Sequence, residues 1–200
     1  PRLVGLADPE LQMSVHYWNY PTEIFCGPGA LDLLAERCNL LGMRNPLLVT
    51  DPGMLALEPL ALLQARLTEA QIPFAVFSDL ASNPSMDDVV RGVAAYHAGQ
   101  HDSLITLGGG SAMDAAKGIS LAAVDPQGLE RFEWSQVIAH YPSLADFPRL
   151  DLPRLIALPT TAGTGSELGR EAVLSEAQRH SSGWRGECLL SPHRTPRTTR

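Results

Sequence analysis

Three consecutive glycines, Gly108, Gly109 and Gly110, separate two very different patterns in this sequence. Before them runs the apolar stretch Leu104, Ile105, Thr106 and Leu107. After them Ser111, Ala112, Met113, Asp114, Ala115, Ala116, Lys117 and Ile119 follow with helical spacing and mostly small side chains. Glycine has no Cβ, so a ligand can approach such a turn closely and positive φ angles cost little there. A helix that starts at once offers unpaired N–H groups and the positive end of its dipole. Strand, glycine turn and helix N-terminus together form an anion site suited to the pyrophosphate of a dinucleotide. A plain tight turn between strand and helix is the alternative. The spacing is not the GxGxxG of the usual dinucleotide fold. Ser111 is placed either to cap the helix or to reach a phosphate.

Two other stretches carry groups that could serve the same ligand. Asp51 closes the short apolar run Pro46, Leu47, Leu48, Val49 and Thr50, where a carboxylate could accept hydrogen bonds from both ribose hydroxyls of an adenosine. The same carboxylate would repel a 2′-phosphate, which favours NAD over NADP. Its alternative role is that of a turn former in Asp51-Pro52-Gly53. Thr160, Thr161 and Thr164 place hydroxyls among Ala162, Gly163 and Gly165 after a further apolar run, on a loop that composition alone could equally leave merely flexible. Asp114 and Lys117, three residues apart, suit either a helix-surface ion pair or a ligand role. Lys117 is the only lysine in the chain. His97 and His101 have a metal-like spacing, but Gly99 lies between them and no third ligand is naturally placed, so no metal site is assigned there.

The elements needed to position these groups are legible. Leu31, Leu34, Ala35, Cys38 and Leu41 mark a helix ended by Gly42. Residues 46–50 read as a buried strand, 57–70 as a Leu/Ala-rich helix and 74–77 as a strand. Asn83-Pro84 disfavours helix before Ser85. Ser85 with Asp88 resembles a capping box that opens a helix ended by Gly99. Residues 154–158 form another strand, and Ala172, Val173 and Leu174 suggest one more. Short strands are also expected at 14–18 and 22–26, whereas 125–152 shows no strong period. This alternation predicts an α/β fold, an open and mainly parallel sheet with helices on both faces. In such sheets ligands sit outside the carboxyl ends of the strands. Asp51, the glycines and the threonines all fall at that edge.

Composition bounds the rest. Two hundred residues with 44% hydrophobic and 18% charged content describe a globular chain with room for a buried core. A net charge of −7 gives nucleic acid no overall attraction. No apolar run approaches the ~18–20 residues of a membrane span, and no export signal is seen. Cys26, Cys38 and Cys188 are odd in number and lack CxxC spacing, which suits a reduced, cytoplasmic setting. Residues 178–200 hold five arginines against Glu187 and sustain no period. They are expected to form a disordered or aberrant tail, with the dinucleotide-binding domain over 1–177.

Gly108-Gly109-Gly110-Ser111 with Asp114 and Lys117, followed by Pro159-Thr160-Thr161-Ala162-Gly163-Thr164-Gly165-Ser166-Glu167, resembles the iron-containing alcohol dehydrogenase family. Asp51-Pro52-Gly53 and Asn83-Pro84 occur in the family's order, and the resemblance runs from about residue 23 to 174. It implies a Rossmann-like, dehydroquinate synthase-like N-terminal domain, followed in complete members by an all-helical domain missing here. The implied activity interconverts primary alcohols and aldehydes with NAD(P)(H). By matching position, Asp51 would hold the adenosine ribose. Asn83, Gly108, Gly109, Gly110, Ser111 and Asp114 would line the pyrophosphate path, and Thr160, Thr161 and Thr164 would lie nearer the reactive end. Family members hold Fe²⁺ or Zn²⁺ through one Asp and three His beyond the second motif. No residue here matches them, so neither a metal ligand nor a catalytic residue is assigned. The chain then reads as the cofactor half of such an enzyme, its ending resembling a frameshift or truncation. The implied partner is a small alcohol or aldehyde; association with a second copy of the chain is left open, and composition gives no reason to expect nucleic acid or membrane. The rival reading is a non-catalytic nucleotide-binding or interaction module.

Overall fold

The computed structural model describes residues 22–125, 150–169, 171–175 and 185–189. The strand expected at 14–18, most of the segment 125–152 and the side chain of Cys188 lie outside the described residues. Four parallel strands form the sheet: β1 (Pro46–Thr50), β2 (Ala75–Phe77), β3 (Ser103–Gly108) and β4 (Arg154–Pro159), in the order β2-β1-β3-β4. β1 and β3 are buried along their whole length, as expected for apolar strands covered on both sides.

Side-chain alternation divides the core between the two faces. Leu48, Ile105 and Leu107 pack with Leu34, Cys38, Leu60, Leu63 and Leu67. These come from α1 (Leu34–Leu41, preceded by a 3₁₀ turn at Ala30–Leu33) and α2 (Glu58–Glu69). On the opposite face Leu47, Val49 and Leu104 pack with Val89, Ala115, Ala116 and Ile119. Those side chains come from α3 (Met86–Ala98) and α4 (Gly110–Ala122). The two helices approach closely because Gly92 faces Ile119, where an added Cβ would lie 2.2 Å from Cδ1. Helices therefore cover both faces of a mainly parallel sheet. Among the described residues, no helix is long and apolar enough to cross a membrane.

Local signals account for the boundaries. The Ser85 hydroxyl accepts from the Asp88 N–H (3.3 Å) while the Asp88 carboxylate accepts from the Ser85 N–H (2.6 Å), a reciprocal cap that starts α3. Gly42 adopts φ 73° to end α1.

Three expectations need correction. Residues 22–26 form no strand; they are exposed, and no described strand lies beside them to accept their backbone hydrogen bonds. The strand suggested by Ala172, Val173 and Leu174 exists as β5 (Glu171–Ser175), but it does not extend the parallel sheet. It pairs antiparallel with β6 (Arg185–Leu189), so a regular strand also occurs within the stretch expected to hold none. Cross-strand pairing supplies the order there, which composition does not report. Ala172 and Leu174 of β5 join the core, with Leu174 against Gly118 of α4.

Candidate functional site

The site grows from the carboxyl ends of β1, β3 and β4, held in fixed register. Thr50 pairs with Leu107 and Gly108 with Pro159, so Asp51 and Thr160 emerge on either side of the glycine turn. The buried Thr50 hydroxyl donates to the Leu107 carbonyl at 2.7 Å and ties the two strand ends together. The Thr160 N–H donates to the Gly108 carbonyl at 2.9 Å and closes the other side.

Gly108 has φ 154°, a conformation L side chains rarely adopt. A Cβ there would also meet the Ala112 Cβ at 2.9 Å and the Asp51 Oδ2 at 3.1 Å. The Asp51 carboxylate therefore lies directly alongside the bare backbone of the turn. Asp51 is extended (φ −83°, ψ 158°) and its side chain caps nothing, which leaves the carboxylate available to a ligand. A Cβ on Gly109 would sit 3.4 Å from the Thr161 Oγ1, and one on Gly110 would sit 2.9 Å from the Thr164 Cγ2. Gly110 thus makes room for the threonine loop, whereas at Gly109 the contact would be an ordinary one.

α4 begins at Gly110 with Gly109 as its N-cap and no side-chain cap. Among the described residues, its first-turn N–H groups thus receive no capping side chain, and the helix dipole adds positive potential there. Ser111 is not the cap. It sits in the first turn, and its hydroxyl donates to the Ser82 carbonyl in the loop before α3. That loop carries Asn83, whose side chain is exposed. The loop is also held from behind by β5. The Ser175 hydroxyl donates to the Asn83 carbonyl at 3.2 Å, and the Ser175 N–H donates to the Pro84 carbonyl at 2.8 Å.

Asp114 and Lys117 do not form a surface pair. Their side chains are 13% and 5% exposed, with Nζ 3.4 Å from Oδ1. The Ser166 hydroxyl lies between them, accepting from the Lys117 Nζ at 2.7 Å and donating to the Asp114 Oδ1 at 2.6 Å. The structure thus brings together Asp51, the three glycines, Thr161 and Thr164, with Thr160 beside them. It sets Ser111 against the Asn83 loop and turns Asp114 toward Ser166. Sequence reasoning missed Ser82, Ser166 and Ser175 as the groups holding these loops. Only the Gly-Ser step at 165–166 offered a signal.

The family model of the iron-containing alcohol dehydrogenases matches residues 21–197. The chain belongs to the iron-containing alcohol dehydrogenase family. The match runs past residue 174, where the resemblance of the motifs ends. The 1,3-propanediol dehydrogenase of Klebsiella pneumoniae is 35% identical over 170 residues, which are 83% of this chain and 41% of that protein. A crystal structure of 1,3-propanediol oxidoreductase superposes with a TM-score of 0.71 at 32% identity, covering 82% of this chain and 40% of the other. The sulfoacetaldehyde reductase of Bifidobacterium kashiwanohense, solved in complex with NAD⁺, shares the fold with a TM-score of 0.70 at 22% identity, over 88% of this chain and 44% of that one. The chain spans about 40% of the length of the curated relatives it matches.

The family name implies a metal. Among the described residues, no group of three or more His, Cys, Asp or Glu side chains could hold one. His101 is instead directed at the Asn45 carbonyl, its Nδ1 2.9 Å away. The described residues do not fit a metal centre.

Proposed function

We propose that this chain provides the cofactor-binding wall of an NAD-dependent oxidoreductase that interconverts a primary alcohol and an aldehyde. The observation that carries the reading is the Asp51 carboxylate lying against Gly108 beside the helix start at Gly110, where no side chain caps α4. A carboxylate one strand away from an anion site matches an adenosine ribose joined to a pyrophosphate. Gly108, Gly109, Gly110 and Ser111 would take the pyrophosphate. The Ser111 hydroxyl already donates to Ser82, so the backbone N–H groups carry most of that interaction. Asn83 would flank the path. Thr160, Thr161 and Thr164 would meet the half of the cofactor nearer the nicotinamide, and Asp114 would act from behind through Ser166. When bound, the nicotinamide accepts or returns the hydride.

Fe²⁺ or Zn²⁺, where a complete enzyme of this kind uses one, would be held by residues other than those described here. The odd number of cysteines, with Cys26 and Cys38 both free, supports a cytoplasmic setting. The small alcohol or aldehyde would enter beside the threonine loop.

NADH titration, read by cofactor fluorescence, tests this function. The chain should bind NADH more tightly than NADPH. Asp51→Ala should weaken NADH about tenfold or more, the scale of a lost hydrogen bond to a charged group, and should narrow the preference over NADPH. Absence of NADH binding by the unmodified chain overturns the proposal. Alcohol oxidation assayed with added Fe²⁺ or Zn²⁺ separates a catalytic chain from a module that only binds nucleotide.

A further inference from the structure

We propose that Lys117 and Ser166 form a latch that holds the threonine loop against α4, which makes the chain's only lysine a positioning residue for the far half of the cofactor site. The inference rests on the reading of that loop given above. Lys117 is the eighth residue of α4, about two turns along the helix from Gly110. Its ammonium is buried against Ser166 and Asp114 instead of lying at the open edge. Ser166 uses its hydroxyl in both directions, as acceptor from Lys117 and donor to Asp114.

The connection continues outward from there. The Ser166 N–H donates to the Thr164 Oγ1 at 3.3 Å. Thr164 in turn lies over Gly110, its Cγ2 and Oγ1 at 2.9 and 3.0 Å from where a Cβ would stand. An unbroken series of contacts therefore runs from Lys117 through Ser166 and Thr164 to the start of α4. A buried ion pair is a poor source of stability, since desolvation offsets much of its attraction. A hydroxyl inserted between the two charges does, however, fix the loop that carries it. The latch assigns Asp114 an indirect role: it orients Ser166.

The test uses the full chain with two probes, ADP for the adenosine half and NADH for the whole cofactor. Ser166→Ala leaves the Asp114–Lys117 pair intact. It should weaken NADH about tenfold while leaving ADP within about twofold, and Ser166→Thr should restore NADH binding by returning the hydroxyl. Lys117→Met with Asp114→Asn removes the ammonium together with the carboxylate beside it. Adding Ser166→Ala to that pair should weaken NADH no further, because the three act as one unit.

Hydrogen exchange reads the loop without any nucleotide. The Thr164 and Ser166 amides should exchange about tenfold faster in Ser166→Ala than in the parent chain. Equal exchange rates overturn the latch, as does a parallel loss of ADP and NADH affinity or a Ser166→Thr variant that binds NADH no better than Ser166→Ala. Should the parent chain bind neither probe, the function proposed above fails, and the exchange comparison still decides the latch.

Discussion

Replacing Gly108 by alanine sets the geometry of the glycine turn against a direct measurement of stability. Two penalties combine at this position. The φ of 154° is one that L residues rarely adopt, and holding a non-glycine residue in such a region costs on the order of 1–3 kcal/mol. The new Cβ would also stand 2.9 Å from the Cβ of Ala112. That atom belongs to a fully buried residue in the first turn of α4. A Cβ cannot rotate away, so the backbone of the strand–helix junction must move. Overpacking of this kind adds roughly 1–3 kcal/mol, and some relief is shared between the two terms. A destabilisation of about 3 kcal/mol follows. For a chain of this size that lowers the melting temperature by about 6–12 °C, readable by circular dichroism. Gly53→Ala is the matched control. Its new Cβ would lie 3.1 Å from the Asp51 Oδ1, the end of a side chain that can swing aside, and its φ is not positive. It should melt within about 3 °C of the parent, a loss under 1 kcal/mol. If Gly108→Ala melts as high as Gly53→Ala, the turn is not constrained as described. The close approach of Asp51 to it would then lose its structural basis.

Three further outcomes follow from the packing and the ionisable groups. Gly92→Ala should destabilise by about 1–3 kcal/mol, because its Cβ would meet the Ile119 Cδ1 at 2.2 Å; adding Ile119→Val, which removes that atom, should recover part of the loss in chemical unfolding. Burial works against the charge on Asp102, but donation from the Ser103 hydroxyl and from the Asn45 and Arg44 N–H groups outweighs it and holds this carboxyl below its usual range. A depressed carboxyl stabilises the fold above the unfolded value and loses that contribution as pH falls through the folded one, so Asp102→Asn should flatten the acid limb of a melting profile below about pH 4. Burial, with the Asp102 charge second, pushes the Cys38 thiol up to about 11. Iodoacetamide at pH 8 should therefore modify the exposed Cys26 and spare Cys38 in the native chain, as peptide mapping would show.

The parts of the fold set by local chemistry were legible in the sequence. β1 ends at Thr50 because Asp51-Pro52-Gly53 follows it, and α3 starts where Ser85 and Asp88 can cap it. The strand, glycine and helix junction was legible for the same reason. What could not be read depended on distant partners. The sequence places Ser111 to cap α4 or to reach a phosphate, yet the N-cap is Gly109, two residues earlier, and a carbonyl 29 residues away takes the Ser111 hydroxyl. The i, i+3 spacing of Asp114 and Lys117 put the two within reach of each other, but it could not say on which face. α4 is covered by the sheet, α3 and β5 together, so the face that usually meets water is buried. The pairing of β5 with β6 was equally hidden, since residues 178–200 carry no alternation by which to read a strand.

The register of β1 against β3 has a consequence for how tightly this sequence must specify its own folding. A slip of one residue would exchange the two faces of a strand, and because β1 and β3 carry apolar side chains on both faces it would misfit their packing without exposing it. A slip of two would keep every apolar residue on its proper face while carrying Gly108 about 6.6 Å away from Asp51. Apolar patterning therefore fixes this register only loosely, and the ligand geometry is the stricter requirement. Thr50 marks the register that meets it, its hydroxyl tied to the carbonyl of Leu107, the residue opposite. That bond fastens the sheet one residue before Asp51 and Gly108, the two groups whose spacing depends on this register.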